Sequence, residues 1–245
     1  MAGHSKWKNI QHRKGAQDAK RGKIFTKMAK EIAVAAKLGG GDLESNARLR
    51  AAVVKARANS MPKDNIDRAI KRGTGDSDGA DFVEKTYEGY GPGGVAVLVQ
   101  CLTDNINRTV ADVRHSFSKF GGNLGTEGSV GWMFHKKGTL VYGREKVKNF
   151  DELFENALEA GAEDVKDEGD AVEITCPPEA FHALKEALDQ LALEADVAEV
   201  MWVPENHTSL DSEKALSMQK LIDWLEDNDD VQSVYHNAAF DEGSV

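Results

Sequence analysis

Two cysteines and five prolines are few for 245 residues, and aromatic residues make up only 7%. Cys101 and Cys176 lie far apart in separate apolar segments, which suits small buried hydrophobes better than a disulfide. No CxxC pair or Cys/His cluster has zinc-ligand spacing. The seven histidines never fall into an HExxH or related pattern, and no GxSxG elbow is present. Two glycine-rich stretches, GYGPGG and GGNLG, lack the Gly-Lys-Ser/Thr ending of a phosphate loop and read as tight turns. The crowded acids of 151–170 and 223–230 read as solvated surface. These absences point away from an enzyme: no catalytic residue, cofactor, metal or small-molecule substrate is expected. No apolar run approaches the roughly 20 residues that span a bilayer, so no membrane partner is expected. The opening MAGHSKWKNIQHRK lacks the apolar core of a secretory signal. It is basic and acid-poor, as a mitochondrial presequence would be. Yet it runs directly into a helical pattern with no spacer, so it reads as mature protein in the cytoplasm.

What the chain does have is a divided charge. The formal net charge is −10. Residues 1–73 hold eighteen Lys/Arg against six Asp/Glu, a net of +12, and residues 74–245 hold thirteen against thirty-five, a net of −22. A polyanion would be attracted to the first part and repelled by the second. The plainer alternative is that the basic part docks on the acidic part.

The length suits two or three small domains. Phe25, Met28, Ile32 and Ala35 form one apolar helical stripe, ended by Gly39-Gly40-Gly41. A second helix follows, with Asp42 as its expected cap and Leu49, Val53 and Ala56 inward. Pro62 opens a third, with Ile66, Ala69 and Ile70 inward and Gly73 as its expected stop. The segment 73–81 has linker composition. Strands are then expected at 84–90, 95–102 and 130–134, with a helix over 105–120 (Val110, Val113 and Phe117 inward) and a loop at 121–125. From 139 to 203 the order is βαββαβ, the split βαβ arrangement with two helices on one face of an antiparallel sheet. A final helix (210–225) and strand (231–236) complete the earlier segment. The chain therefore reads as α+β: an N-terminal three-helix domain followed by two ferredoxin-like α/β domains, one inserted into the other; the rival, two consecutive domains plus a tail, requires the tail helix to find another surface. The expected boundaries are 1–78, 82–135 with 205–245, and the insert 136–204.

The strongest functional signal is in the first helix. Lys20, Lys23, Lys27 and Lys30 fall within one narrow stripe at 100° per residue, opposite the apolar side and with no acid among them. A merely solvated face would mix signs. Lys55, Arg68, Lys71 and Arg72 add charge on the later helices; Lys6, Lys8, Arg13 and Lys14 precede the stripe, and Arg48, Arg50 and Arg57 follow. These residues are the candidate phosphate contacts of a nucleic-acid partner. Such contacts position a protein without specifying sequence. Asn9, Gln11, Asn46 and Asn59 are possible base readers. Trp7 and His12 could stack on unpaired bases, or Trp7 could anchor the lead to the bundle. Asp104 or Asn105 is expected to cap the helix beginning there. Asn107, Arg108 and Arg114 near that helix start could instead hold an anion.

Four segments carry a resemblance: Ala2-Gly3-His4-Ser5-Lys6-Trp7, GKIFTKMAKEIAVAAKLGGGD (22–42), ANSMPKDNIDRAIKRGTG (58–75) and YEGYGPGGVAVLVQCLTDNINRT (87–109). Together they closely resemble the YebC family, over essentially the whole chain. That family is described as probable transcriptional regulators, and its mitochondrial relatives as translational activators of cytochrome c oxidase subunit one. The resemblance implies three domains, a cytoplasmic location and nucleic-acid binding. It leaves two roles open. One is a DNA-binding transcriptional regulator. The other is a ribosome-associated translation factor that binds ribosomal or transfer RNA.

Overall fold

In the computed structural model, residues 21–75 and 82–240 are described. The apolar stripe produces α1 (Arg21–Gly39). Gly40, at φ +84°, ends it in the left-handed region and donates its N–H to the Ala36 carbonyl at 2.9 Å, a glycine-specific stop. Helix α2 (Ala47–Ala58) buries Leu49, Val53 and Ala56, as the periodicity predicts. Its cap is Asn46, whose side-chain oxygen accepts the Leu49 N–H at 3.0 Å. Asp42 instead closes the preceding turn through Glu44 and Ser45.

Helix α3 (Lys63–Thr74) follows Pro62. Gly73 lies inside this helix and does not stop it. A Cβ there would sit 2.2 Å from the Ala33 carbonyl and 2.8 Å from the Ala36 Cβ, so glycine allows α1 and α3 to cross closely. The three helices share a core of Ile32, Ala35, Ala36, Leu49, Val53, Ala56, Met61, Ile66 and Ala69.

Two four-stranded sheets follow. The first contains β1 (Val83–Tyr90), β2 (Ala96–Thr103), β3 (Asn123–Leu124) and β9 (Val231–His236), in the order β3-β1-β2-β9. Helices α4 (Ile106–Lys119) and α7 (Ser212–Asp227) cover one face. Val113, Phe117, Met218 and Leu221 pack there against Val97 and Val99. Ala96 and Leu98 point to the other face, against Val130, Met133, Phe134 and Trp202. Burial on both faces explains why β2 is an almost unbroken apolar run.

The second sheet contains β4 (Phe134–Gly143), β5 (Asp164–Asp167), β6 (Ala171–Cys176) and β7 (Val197–Pro204), ordered β5-β6-β4-β7 and antiparallel throughout. Helices α5 (Phe150–Glu159) and α6 (Phe181–Asp189) lie on one face through Leu153, Ala157, Leu184 and Leu188. Phe134 pairs with Pro204, so the chain enters and leaves this sheet side by side. It then forms β8 (Thr208–Ser209), α7, β9 and β10 (Ala238–Ala239), with β10 parallel to β8.

One strand expectation fails. Residues 130–133 are not a strand. The buried Glu88 carboxylate accepts N–H groups from Gly128, Val130 and Gly131 at 2.9, 2.8 and 2.6 Å, folding this segment into a compact turn. The edge strand of the first sheet is the short β3, at the Asn123-Leu124 pair expected to be a loop.

Candidate nucleic-acid interface

Helix α7 ends in the run Glu226-Asp227-Asn228-Asp229-Asp230 and has no basic residue in its last turn. Its terminal carbonyls and the negative end of its dipole therefore lack a cation of their own. Helix α1 supplies three. Lys23 Nζ donates to Asp227 Oδ2 at 2.6 Å and to its carbonyl at 3.1 Å. Lys27 Nζ donates to the Glu226 carbonyl at 2.5 Å. Lys30 Nζ donates to the Asp229 carbonyl and to Asp230 Oδ1, both at 2.9 Å. Burial lowers the Lys27 pKa from its ordinary 10.5 to about 8, with Glu226, Asp229 and Asp227 opposing the drop.

Asp230 organises this contact. It is 4% exposed and also accepts Arg108 Nη2 at 2.7 Å, Arg108 Nε at 3.2 Å and Thr109 Oγ1 at 2.9 Å. Burial pushes its pKa up, but the hydrogen bonds from Arg108, Lys30 and Thr109 hold it below the ordinary carboxylate value. Arg108 is further bound to Asp104, and Asn105 caps α4 by accepting the Arg108 N–H at 3.0 Å. Asn105, Arg108 and Thr109 at this helix start therefore serve as cap and as the ties that hold Asp230.

The remaining expected contacts divide into three groups. Arg48 is held by Glu31 at 2.8 and 3.1 Å and also pairs with Glu84 of β1. Arg50 is exposed, its guanidinium donating to the Leu43 and Glu44 carbonyls at 2.7 and 3.0 Å. Arg57 is exposed on the same helix. Lys6, Lys8, Arg13, Lys14 and Lys20 lie outside the described residues, as do Trp7, Asn9, Gln11 and His12. The structure thus brings Lys23, Lys27 and Lys30 together against the acidic end of α7 and leaves Arg50 and Arg57 facing solvent.

Asn46, read as a possible base reader, is buried. Besides capping α2, its amide donates to the Ala35 and Gly40 carbonyls at 2.8 Å each. Asn59 donates to the Lys55 carbonyl at the end of α2. Lys55, one of the further cations of α2, reaches Glu199 of β7 at 3.2 Å. The sequence signal for the docking was the 226–230 acidic run, whose charge and position after a helix complement an acid-free lysine stripe.

A basic helical head is joined by lysine and arginine contacts to two largely acidic sheet layers, which together define an α+β protein. The chain belongs to the TACO1/YebC family: residues 5–76 match the TACO1/YebC protein N-terminal domain and residues 82–238 the TACO1/YebC second and third domain. It is 60% identical over 237 residues to a probable transcriptional regulatory protein of Syntrophotalea carbinolica, covering 97% of this chain and 95% of that one. A protein of the same description from Idiomarina loihiensis is 59% identical over 240 residues, covering 97% and 95%. Among solved structures, a conserved hypothetical protein from Aquifex aeolicus is similar, with a TM-score of 0.81 and 44% identity over 91% of this chain and 92% of that one. No helix among the described residues is long and apolar enough to cross a membrane.

Proposed function

We propose that this chain is a DNA-binding transcriptional regulator of the cytoplasm, without catalytic activity, whose N-terminal helical domain supplies the phosphate contacts. The observation that carries the reading is the concentration of cations in that domain. Helix α2 has no carboxylate at all, and the acids that meet α1 belong mostly to the far end of the chain. The names of the similar proteins support the same role. Lys6, Lys8, Arg13, Lys14 and Lys20, with Arg50 and Arg57, make the first contacts. Lys23, Lys27, Lys30 and Arg48 join only by exchanging carboxylates and carbonyls for phosphate oxygens. The expected division into 1–78, 82–135 with 205–245, and 136–204 belongs to this proposal, supported by the return of β9 to the first sheet.

In-cell crosslinking with sequencing of the bound nucleic acid tests it. The wild type is compared with a Lys6→Glu/Lys8→Glu/Arg13→Glu/Lys14→Glu variant, which keeps Lys23, Lys27 and Lys30. The reading predicts reproducible promoter sites that the variant loses. Ribosomal or transfer RNA sites in their place would replace this role with that of a ribosome-associated translation factor.

A further inference from the structure

Helix α2 turns to solvent a face that no docking contact among the described residues uses, although Arg48 and Lys55 at its border are held by Glu31, Glu84 and Glu199. Its exposed positions include Ala47, Arg50, Ala51, Val54, Arg57 and Ala58, and Val54 is 60% exposed. At 100° per residue the three alanines and Val54 fill a sector of about 60°. Arg50 and Arg57 border that sector on one side, and Lys55 and Arg48 on the other. An ordinary solvated helix face carries long side chains of both signs. This face is a low apolar ridge between two cationic rails. The Leu43 and Glu44 carbonyls orient the Arg50 guanidinium without neutralising it.

We propose that α2 enters the major groove of B-form DNA, with Val54 and its neighbouring alanines toward the base edges and the two rails along opposite phosphate walls. The inference rests on the DNA-binding reading above and adds the face and the nucleic-acid form. Charge complementarity selects a polyanion. The low ridge selects a groove that admits a whole helix, as the B-form major groove does at about 12 Å wide. The deep, narrow major groove of A-form RNA does not admit one. Val54 is suited to the thymine methyl group, the apolar feature of that groove. On the second rail, Lys55 is 63% exposed and holds Glu199. That carboxylate of β7 competes with phosphate for Lys55.

The test uses the full chain and a short mixed-sequence duplex, made once as DNA and once as RNA, at several salt concentrations. Val54→Glu puts a carboxylate on the ridge without touching the core. It is expected to weaken DNA binding about tenfold or more, with an unchanged melting temperature. Arg50→Ala/Arg57→Ala should reduce the salt slope by about 0.9 for each phosphate left without its arginine. Glu199→Gln should raise affinity about threefold by freeing Lys55. Undiminished DNA binding by both the Val54 and the double arginine variants overturns the assignment. If binding is then abolished in the Lys6/Lys8/Arg13/Lys14 variant, the DNA-binding reading itself survives. RNA duplex binding as tight as DNA and equally sensitive to Val54→Glu also overturns the α2 proposal. No binding of the wild type to either duplex overturns both.

Discussion

Asp230 is the most buried carboxylate of the contact between the helical head and the first sheet layer, tying Lys30 of α1 to Arg108 and Thr109 of α4. Removing its carboxylate leaves cationic groups facing a hole, and a buried pair broken from one side costs about 3 kcal/mol or more. Asp230→Ala is expected to lose stability on that scale in urea denaturation. Because the folded-state pKa is held below the ordinary value, its contribution is complete above the unfolded carboxylate pKa and is lost as pH falls through the folded value. Asp230→Asn should therefore flatten the acid limb of a melting-temperature profile; an unchanged limb would remove this role. Lys27 has the opposite sign. Its pKa falls from 10.5 to about 8, so the unfolded chain holds the proton more readily between those values. Stability from this group rises as pH goes from about 8 to 10.5. The stability of the wild type relative to Lys27→Met should rise across that window in denaturation experiments and stay flat below it.

At the scale of elements, Gly73 governs how α1 and α3 cross. Gly73→Ala would drive a Cβ to within 2.2 Å of the Ala33 carbonyl. Overpacking of this kind costs about 1–3 kcal/mol, despite alanine's better helix propensity. A circular-dichroism melt showing no loss would contradict the close crossing. Gly73 also shows where sequence reading stops short. A glycine near a helix end suggests a stop, whereas here the constraint is a neighbouring backbone that no local pattern records. Asn46 is similar. Both it and Asp42 are good capping residues, and only the three-dimensional path, which brings the Ala35 and Gly40 carbonyls to the Asn46 amide, decides between them. The buried faces of α1, α2 and α3 are legible because periodicity encodes them directly. Residues 130–133 read as a strand because their apolar residues fit either state, and the deciding partner, Glu88, lies about forty positions away.

At the scale of the molecule, the divided charge is legible in the sequence but its use is not. The same stripe of lysines can meet phosphate or the end of α7, and composition treats these anions alike. The structure places Lys23, Lys27 and Lys30 on α7, with Arg48 and Lys55 reaching β1 and β7. The basic head is therefore fastened to the acidic sheets by exposed pairs at Lys23, Arg48 and Lys55, which salt and polyanions weaken, and by the buried Lys30–Asp230 pair, which salt screens much less. Among the described candidate contacts, Arg50 and Arg57 remain facing solvent. Hydrogen exchange along the full chain, with and without a mixed-sequence DNA duplex, tests this division of labour most directly. The account predicts new protection on α2 and its flanking turns, with the outer faces of both sheet layers unchanged. Protection centred on α4, α5 or the strands, with α2 exchanging as before, would contradict it.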